Sequence, residues 1–452
     1  MNMKKEGYHS LAARVAVVAA LLFSAFALAA EPAALTVDEA TRLALAGNPD
    51  LARARLAARA DIARGDSRWN AFLPDLSLSA SAQTAHPFLS IPESAGEWSG
   101  SVGGAMSLTL NAGVASTMRQ ADLASRDAAL SLEALEADVV ARVRKSFYSL
   151  LTARESLRIS RLNRDLAARQ AAEVRRHYEN GLASELELLQ AQYSEAALGP
   201  VVMKEESAYR DAVRAFNALL GLSPEEDRPL DGALVYRPVR EIGDEERDAS
   251  IERRWDVRRA SLAVENARSK SVGGKLRTLG PSVTFSERLS VSGTTAGGGV
   301  SDGATFGASV ALPLNGYVPG SAERIDLGEL ADAVKSAEIA AAQARVSAAL
   351  EIESLREAIA RVDATIGTVR LNARLAARAY ELSEQGYSAG LASQRDLEEA
   401  RQRKLEAEQA VLSALNDHRA ATIDLAMALA MDEANLYADP APGAAAGSGA
   451  QQ

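Results

Sequence analysis

The sequence predicts a mainly α-helical fold, built of long coiled-coil rods and carrying four transmembrane β-strands per chain. Three observations predict it: one segment occurs twice, two pairs of short stretches alternate apolar and hydroxyl side chains, and very long helical runs contain neither glycine nor proline.

The duplicated segment is RLNRDLAARQAAEVRRHYENGLAS at 161–184, which returns as RLNARLAARAYELSEQGYSAGLAS at 370–393. With a constant shift of 209 residues and no gap, the copies agree at 12 of 24 positions, so the chain reads as two copies of one unit. We expect a signal peptide over 1–29, a first structural repeat over 30–232, a second over 233–439 and a disordered tail over 440–452. The signal reading rests on Lys4 and Lys5, an uncharged apolar run over 15–30 and the small-x-small ending Ala27-Leu28-Ala29. No later apolar run approaches the length of a spanning helix, so any membrane crossing must be made by strands.

Composition narrows the classes further. Aromatics are only 5 % and charged residues 24 %, while alanine is abundant, which suits helices packed closely along their length. The absence of cysteine excludes disulfides, thiolate metal sites and lipid attachment at a cysteine. A net charge of −10 with no basic tract argues against nucleic acid.

Taken in order, Thr36 and Glu39 mark a helix start, and Gly47-Asn48-Pro49 a break before the helix resumes to about Trp69. From Pro74 onward, apolar residues alternate with Ser77, Ser79 and Ser81. After a loop holding Pro87 and Pro92, Trp98, Val102, Met106, Leu108 and Leu110 share one phase. The second copy repeats this at 281–292 and, beyond a loop at Gly297-Gly298-Gly299, at Phe306, Ala308, Val310, Leu312 and Leu314, with Thr305 and Ser309 on the wet phase. Glu287 falls on the apolar phase, which predicts either a bulge there or a different register of the third strand. Trp69 and Phe72 stand where an aromatic girdle would meet the bilayer boundary. Residues 114–180, if one helix, span about 100 Å at 1.5 Å per residue. Leu132, Leu135, Val139, Val143, Phe147 and Leu150, and again Ile352, Leu355, Ile359, Val362, Ile366 and Val369, recur at coiled-coil intervals. A second breaker-free run covers 391–439. Gly199-Pro200 predicts a break in the descending rod of the first copy, and Gly273-Gly274-Lys275, which lacks the other residues of a phosphate loop, a helix end. Four strands cannot close a barrel alone and an open edge cannot face lipid, so several chains must share one barrel.

These features, namely LTVDEATRLALAGNPDL with downstream Leu73-Pro74, LPLNG at 312–316 and the doubled Tyr-x-x-Gly-Leu-Ala-Ser, resemble the TolC-like outer-membrane efflux proteins over 35–437. Asn111 and Asn315 depart from the resemblance, standing where an aromatic often follows the strand, as do Gly328 and Gly367 within the second copy's rods. The resemblance implies a homotrimer with a twelve-stranded barrel in outer-membrane lipid and a periplasmic tunnel of helices. It further implies an exit duct serving a periplasmic adaptor and an inner-membrane RND or ABC pump, in drug efflux or type I secretion. Gly181, Leu182, Ala183 and Ser184, with Gly390, Leu391, Ala392 and Ser393, then form the tips that meet the adaptor. Asp396 and Glu399 match acids lining the tunnel's inner end, where three-fold rings would raise their pKa values by repulsion. Glu187 and Tyr387 match a pair that holds the tip closed, and Ala392 replaces a basic residue of that lock. No cofactor is expected, because His9, His86, His177 and His418 are not spaced as ligands and read as solvated side chains. No enzyme is expected either, because no nucleophile, base and orienting acid assemble. The alternative is a periplasmic coiled-coil spacer without a barrel.

Overall fold

The computed structural model describes residues 34–84, 98–226, 228–294 and 299–437. The expected signal peptide and tail, the loop with Pro87 and Pro92, His9, His86, Gly297 and Gly298 lie outside these residues.

In chain order the elements are α1 (Val37–Gly47), α2 (Pro49–Asp66), β1 (Asp75–Thr84), β2 (Trp98–Asn111), α3 (Val114–Glu179), α4 (Glu185–Leu220), α5 (Asp244–Arg253), α6 (Trp255–Leu279), β3 (Ser282–Thr294), β4 (Val300–Ala311), α7 (Ala322–Ser388) and α8 (Gln394–Ala428). The fold is thus mostly helical with four strands. It divides into two compact units: one from the described parts of 1–49, 139–238 and 358–423, the other from 50–138, 239–357 and 424–452.

The second unit holds the sheet, antiparallel in the order β1-β2-β3-β4. Its register places Leu76, Met106, Glu287 and Phe306 in one row and Leu78, Gly104, Leu289 and Ala304 in the next. The intervening rows carry Ser79, Gly103, Ser290 and Gly303, or Ser81, Ser101, Ser292 and Ser301. One face is therefore apolar and the other hydroxyl-lined, with Ser81–Ser101 and Ser292–Ser301 hydroxyl pairs at 2.9 Å. Among the described residues the apolar face is left exposed: Leu78 is 82 % exposed and Phe306 71 %. Trp69 and Phe72 have ring centroids 5.7 Å apart in a short 3-10 turn just before β1.

Ion pairs tie the helices of this unit into a row. Arg55 meets Glu136 at 2.8 Å (α2 to α3), Arg259 meets Asp127 at 3.0 Å (α3 to α6) and Arg268 meets Glu338 at 2.7 Å (α6 to α7). Close backbone approach reinforces the row, since a side chain at Gly65 would strike Ser125 and one at Gly274 would strike Leu330. At the base, the largely buried Arg254 donates to Asp256, Glu351 and the Ala428 carbonyl. Burial opposes its charge, but those carboxylates outweigh it and hold its pKa above the ordinary arginine value.

The first unit packs around Phe147 and Phe216, both 1 % exposed with ring centroids 6.2 Å apart. The predicted series places Val139, Val143, Phe147, Leu150, Ile359 and Ile366 in this core. Gly221 ends α4 at φ 76°, where its backbone crosses Gly47 so closely that a Cβ would overlap the Gly47 carbonyl. Gly221→Ala is therefore expected to cost roughly 1–3 kcal/mol in left-handed strain alone, with the overlap adding to it. Gly328→Ala, in an open helical position, should instead gain about 0.5–1 kcal/mol. Denaturant titration of the two variants checks the contrast, and equal stabilities would contradict the packing described.

Four local expectations are corrected. Glu287 makes no bulge: both neighbouring strands pair with β3 without interruption, holding it in register between Met106 and Phe306. Nor does Gly199-Pro200 break α4, a 36-residue helix that runs through it, the buried Val202 anchoring the turn just beyond the proline. Gly273-Gly274 lies inside α6 instead of ending it, the missing side chains allowing Ser116 and Leu330 to approach. The last rod stops at Ala428, where Ala430 turns left-handed at φ 49° and Met431 bonds back to Ala426.

Candidate functional site

The two duplicated turns lie in the first unit and close in the same way. After α3, Gly181 takes φ 74° and the Leu182 amide donates to the His177 carbonyl at 2.8 Å. After α7, Gly390 takes φ 71° and the Leu391 amide donates to the Gly386 carbonyl at 2.7 Å. Glycine accepts this conformation without a Cβ penalty, which makes it the helix stop.

The restart is a capping box in each case. The amide and hydroxyl of Ser184 donate to Glu187 Oε2 at 2.7 and 3.0 Å, and the Glu187 amide donates to Ser184 Oγ at 3.3 Å. Ser393 and Asp396 repeat it, with donations to Asp396 Oδ2 at 3.0 and 2.7 Å and a return at 3.3 Å. The Ser393 hydroxyl and amide hold the Asp396 carboxyl below the usual carboxylate range. The boxes leave Leu182 76 % and Leu391 86 % exposed at the ends of the hairpins, flanked by Ala183 and Ala392.

Between the α3/α4 and α7/α8 hairpins, still within this unit, lies a cleft of about 620 Å³. Glu187 and Tyr387 both line it. Burial pushes the half-buried Tyr387 phenol up, and the nearby Glu187 and Glu173 charges push it the same way. Tyr387 also packs against the apolar clusters of both hairpins, Ala171, Val174 and Ala191 on one and Tyr380, Leu397 and Ala400 on the other. Asp396 and Glu399 are not on this cleft: Asp396 is exposed in its box, and Glu399 pairs with Arg403 at 2.6 Å. The raised pKa expected of Asp396 in a three-fold ring is thus opposed, within the chain, by its own cap.

Other polar contacts join the hairpins, and sequence reading missed them. Gln170 donates to Gln394 Oε1 at 2.8 Å, and Arg401 donates to Ser194 Oγ at 2.6 Å. Their signal is a polar residue on the apolar phase of a rod: Gln170 falls between Ala167 and Val174, and Arg401 four residues after Leu397. His418, read as solvated, is 2 % exposed; its Nε2 lies 3.2 Å from Asp363, and burial lowers its pKa against the pull of that carboxylate. Tyr236 donates to the same carboxylate at 3.0 Å. Among the described residues no group of side chains could hold a metal ion, and no helix is long and apolar enough to cross a membrane.

A mostly helical chain that ends its rods in capped hairpins, and bears a four-stranded sheet with one bare apolar face, has the plan of an outer-membrane channel subunit. The family model for outer membrane efflux proteins matches residues 40–222 and 247–431, and the chain belongs to that family. Its place is the outer membrane, with the helices projecting into the periplasm, and its general role is efflux transport. Solved structures share the fold. VceC from Vibrio cholerae superposes with TM-score 0.69 at 16 % identity, covering 88 % of this chain and 96 % of that one. The CmeC channel of Campylobacter jejuni gives 0.72 at 17 %, covering 88 % of each. The MtrE channel of Neisseria gonorrhoeae, in its open state, gives 0.69 at 18 %, covering 87 % and 89 %. No curated protein sequence matches the chain.

Proposed function

We propose that three copies of this chain close one twelve-stranded barrel and serve as the passive exit duct of a tripartite efflux or type I secretion assembly. A periplasmic adaptor docks at the exposed leucine turns, 181–184 and 390–393, and an inner-membrane RND or ABC pump supplies the energy. The chain performs no bond chemistry; it opens by sliding of the hairpins, with Glu187 and Tyr387 on the cleft that must widen. The two sequence copies, 30–232 and 233–439, are the repeats of this plan.

The observation that carries the reading is the sheet. Its apolar face is exposed, β1 and β4 are its outer strands, and an unpaired edge cannot stand in hydrocarbon. Further copies of the same sheet satisfy all three conditions. The helices supply matching edges. In the second unit, α7 ends the row with Ile339, Val346 and Leu350 exposed at heptad intervals, and α2 ends it with Ala52, Leu56, Ala60 and Ala63 exposed. In the first unit, Leu371, Leu375 and Leu382 of α7 and Leu186, Leu189 and Tyr193 of α4 are bare in the same manner. Two different bare edges in each unit suit head-to-tail packing of copies, which closes a ring.

Cross-linking tests it. Arg55–Glu136, Arg258–Glu133 and Arg254–Glu351 step along the row and set Leu56 and Leu350 at similar height on opposite edges. With no native cysteine, Leu56→Cys combined with Leu350→Cys is expected to give disulfide-linked dimers and trimers in native membranes on oxidation. Only monomer, together with release of the protein by osmotic shock, would leave a periplasmic spacer as the better reading.

A further inference from the structure

The two faces of the sheet carry different charges. On the apolar face the charged residues are acids, Glu287 between Met106 and Phe306 and Asp302 opposite Val291. On the hydroxyl face, among the described strand residues, they are Arg288 and, at the first position of β1, Asp75. The other side chains of that face are neutral and, apart from Gln83 and Asn111 at strand ends, no larger than threonine. Arg288 stands in the row of Ser77, Ala105 and Thr305, at the middle of the 13-residue β3, with Ser286 and Ser290 on either side of it along the strand. It is exposed, and among the described residues it is the one cation on this face.

Neither nearby acid on these strands cancels its charge. Glu287, the preceding residue, is turned to the opposite face by the pleat. Asp75 lies two strands across and one side-chain step lower. Strand spacing and rise put it roughly 12 Å away, and salt water screens a pair at that distance, the Debye length being about 8–10 Å. In a closed barrel whose apolar face meets lipid, the hydroxyl face lines the lumen, and three-fold symmetry sets three copies of Arg288 at one height. Twelve strands about 4.8 Å apart and tilted about 40° give a backbone radius of roughly 12 Å, and an extended arginine covers about half of that. Three guanidinium groups then converge on a space that one multivalent anion can fill.

We propose that the three copies of Arg288 form an anion-binding ring inside the barrel, which holds solutes bearing several phosphate or carboxylate groups. Guanidinium is weakly hydrated and offers a planar fork that matches both kinds of oxyanion, so the ring separates such solutes from cations and neutral molecules of the same size. Rings of basic side chains favour anions as rings of acids favour cations. This rests on the reading of the sheet as one third of a trimeric barrel with its apolar face to lipid.

The test uses the full mature chain in planar bilayers, with sodium tripolyphosphate added on the barrel side and the half-blocking concentration as the readout. Arg288→Gln is expected to raise that concentration about tenfold. Arg288→Lys, which keeps the charge but loses the fork, should raise it only about threefold. Arg288→Glu should abolish the block and make the pore sensitive to spermine from the same side. Glu287→Gln, one residue away on the other face, should leave the tripolyphosphate block unchanged. An arginine that merely sits in bulk water predicts the same half-blocking concentration in the parent, Arg288→Gln and Arg288→Glu, and that result in a conducting trimer overturns the anion ring alone. A parent that gives neither a trimer on unheated gels nor any conductance overturns the barrel reading, and the ring falls with it.

Discussion

Leu78→Arg is expected to keep the protein out of the outer membrane, whereas Ser79→Arg, one residue further along the same strand, is expected to leave it there. Successive side chains of a strand point to opposite faces, so the two variants carry the same new charge at nearly the same depth. Leu78 stands in the row of Leu289 and Ala304, on the bare apolar face; Ser79 stands with Gly103, Ser290 and Gly303 on the hydroxyl face. An arginine on the lipid side of a barrel costs about 2–4 kcal/mol near the midplane, and each copy that joins the barrel brings another. Glu287 is already on that face, between Met106 and Phe306, but an acidic side chain on the lipid side costs less than a basic one. Fractionation of cells followed by unheated gel electrophoresis reads both location and assembly. If both variants sort to the outer membrane alike, the apolar face does not meet lipid and the barrel reading is lost.

The residues that were legible in the sequence are those whose structural reason is local or periodic. The strand phases could be read because one face of the sheet is wet and the other is not, and the turns at Gly181 and Gly390 because positive φ selects glycine at a helix stop. The capping boxes were equally visible as Ser-x-x-Glu at 184–187 and Ser-x-x-Asp at 393–396, yet resemblance drew Glu187 and Asp396 toward gating roles and hid their local one. Pro200 and Gly273 were misread because their outcome depends on neighbours: packing carries α4 through the proline, and Ser116 fills the space beside the glycine. Gln170–Gln394 and Arg401–Ser194 join residues more than two hundred positions apart, and nothing in either neighbourhood names the other. A polar group on an apolar helical phase marks such a place without identifying its partner.

Neutralising the acids at the start of α8 is expected to change what the channel conducts, and unequally. In the proposed trimer, three copies of Asp396 and three of Glu399 face one another at the inner end of the tunnel, where rings of carboxylates favour cations. Glu399 is already answered by Arg403 at 2.6 Å, so its ring presents little net charge; Asp396 is held chiefly by the hydroxyl and amide of Ser393, which are neutral and stabilise the ionised form, with a weaker pull from the Arg395 charge beside it. Asp396→Asn should therefore reduce the cation-over-anion permeability ratio several-fold, Glu399→Gln only slightly, and the pair little more than Asp396→Asn alone. Asparagine still accepts from Ser393, so the cap survives and the loss is not one of folding. The pH dependence has a definite sign. The folded pKa of Asp396 is depressed, so its contribution to the helix start is present above the unfolded value of about 3.9 and disappears as pH falls through the lower folded value. Repulsion within a ring pushes the other way, but each carboxylate keeps its own Ser393 donors. Selectivity measured as a reversal potential across a salt gradient should accordingly hold from neutral pH through the mildly acidic range and collapse only as pH falls toward the lowered Asp396 value, below the ordinary carboxylate range. A ratio already falling near neutrality would mean that repulsion overrides the cap. A ratio indifferent to both substitutions would mean that these acids do not line the path.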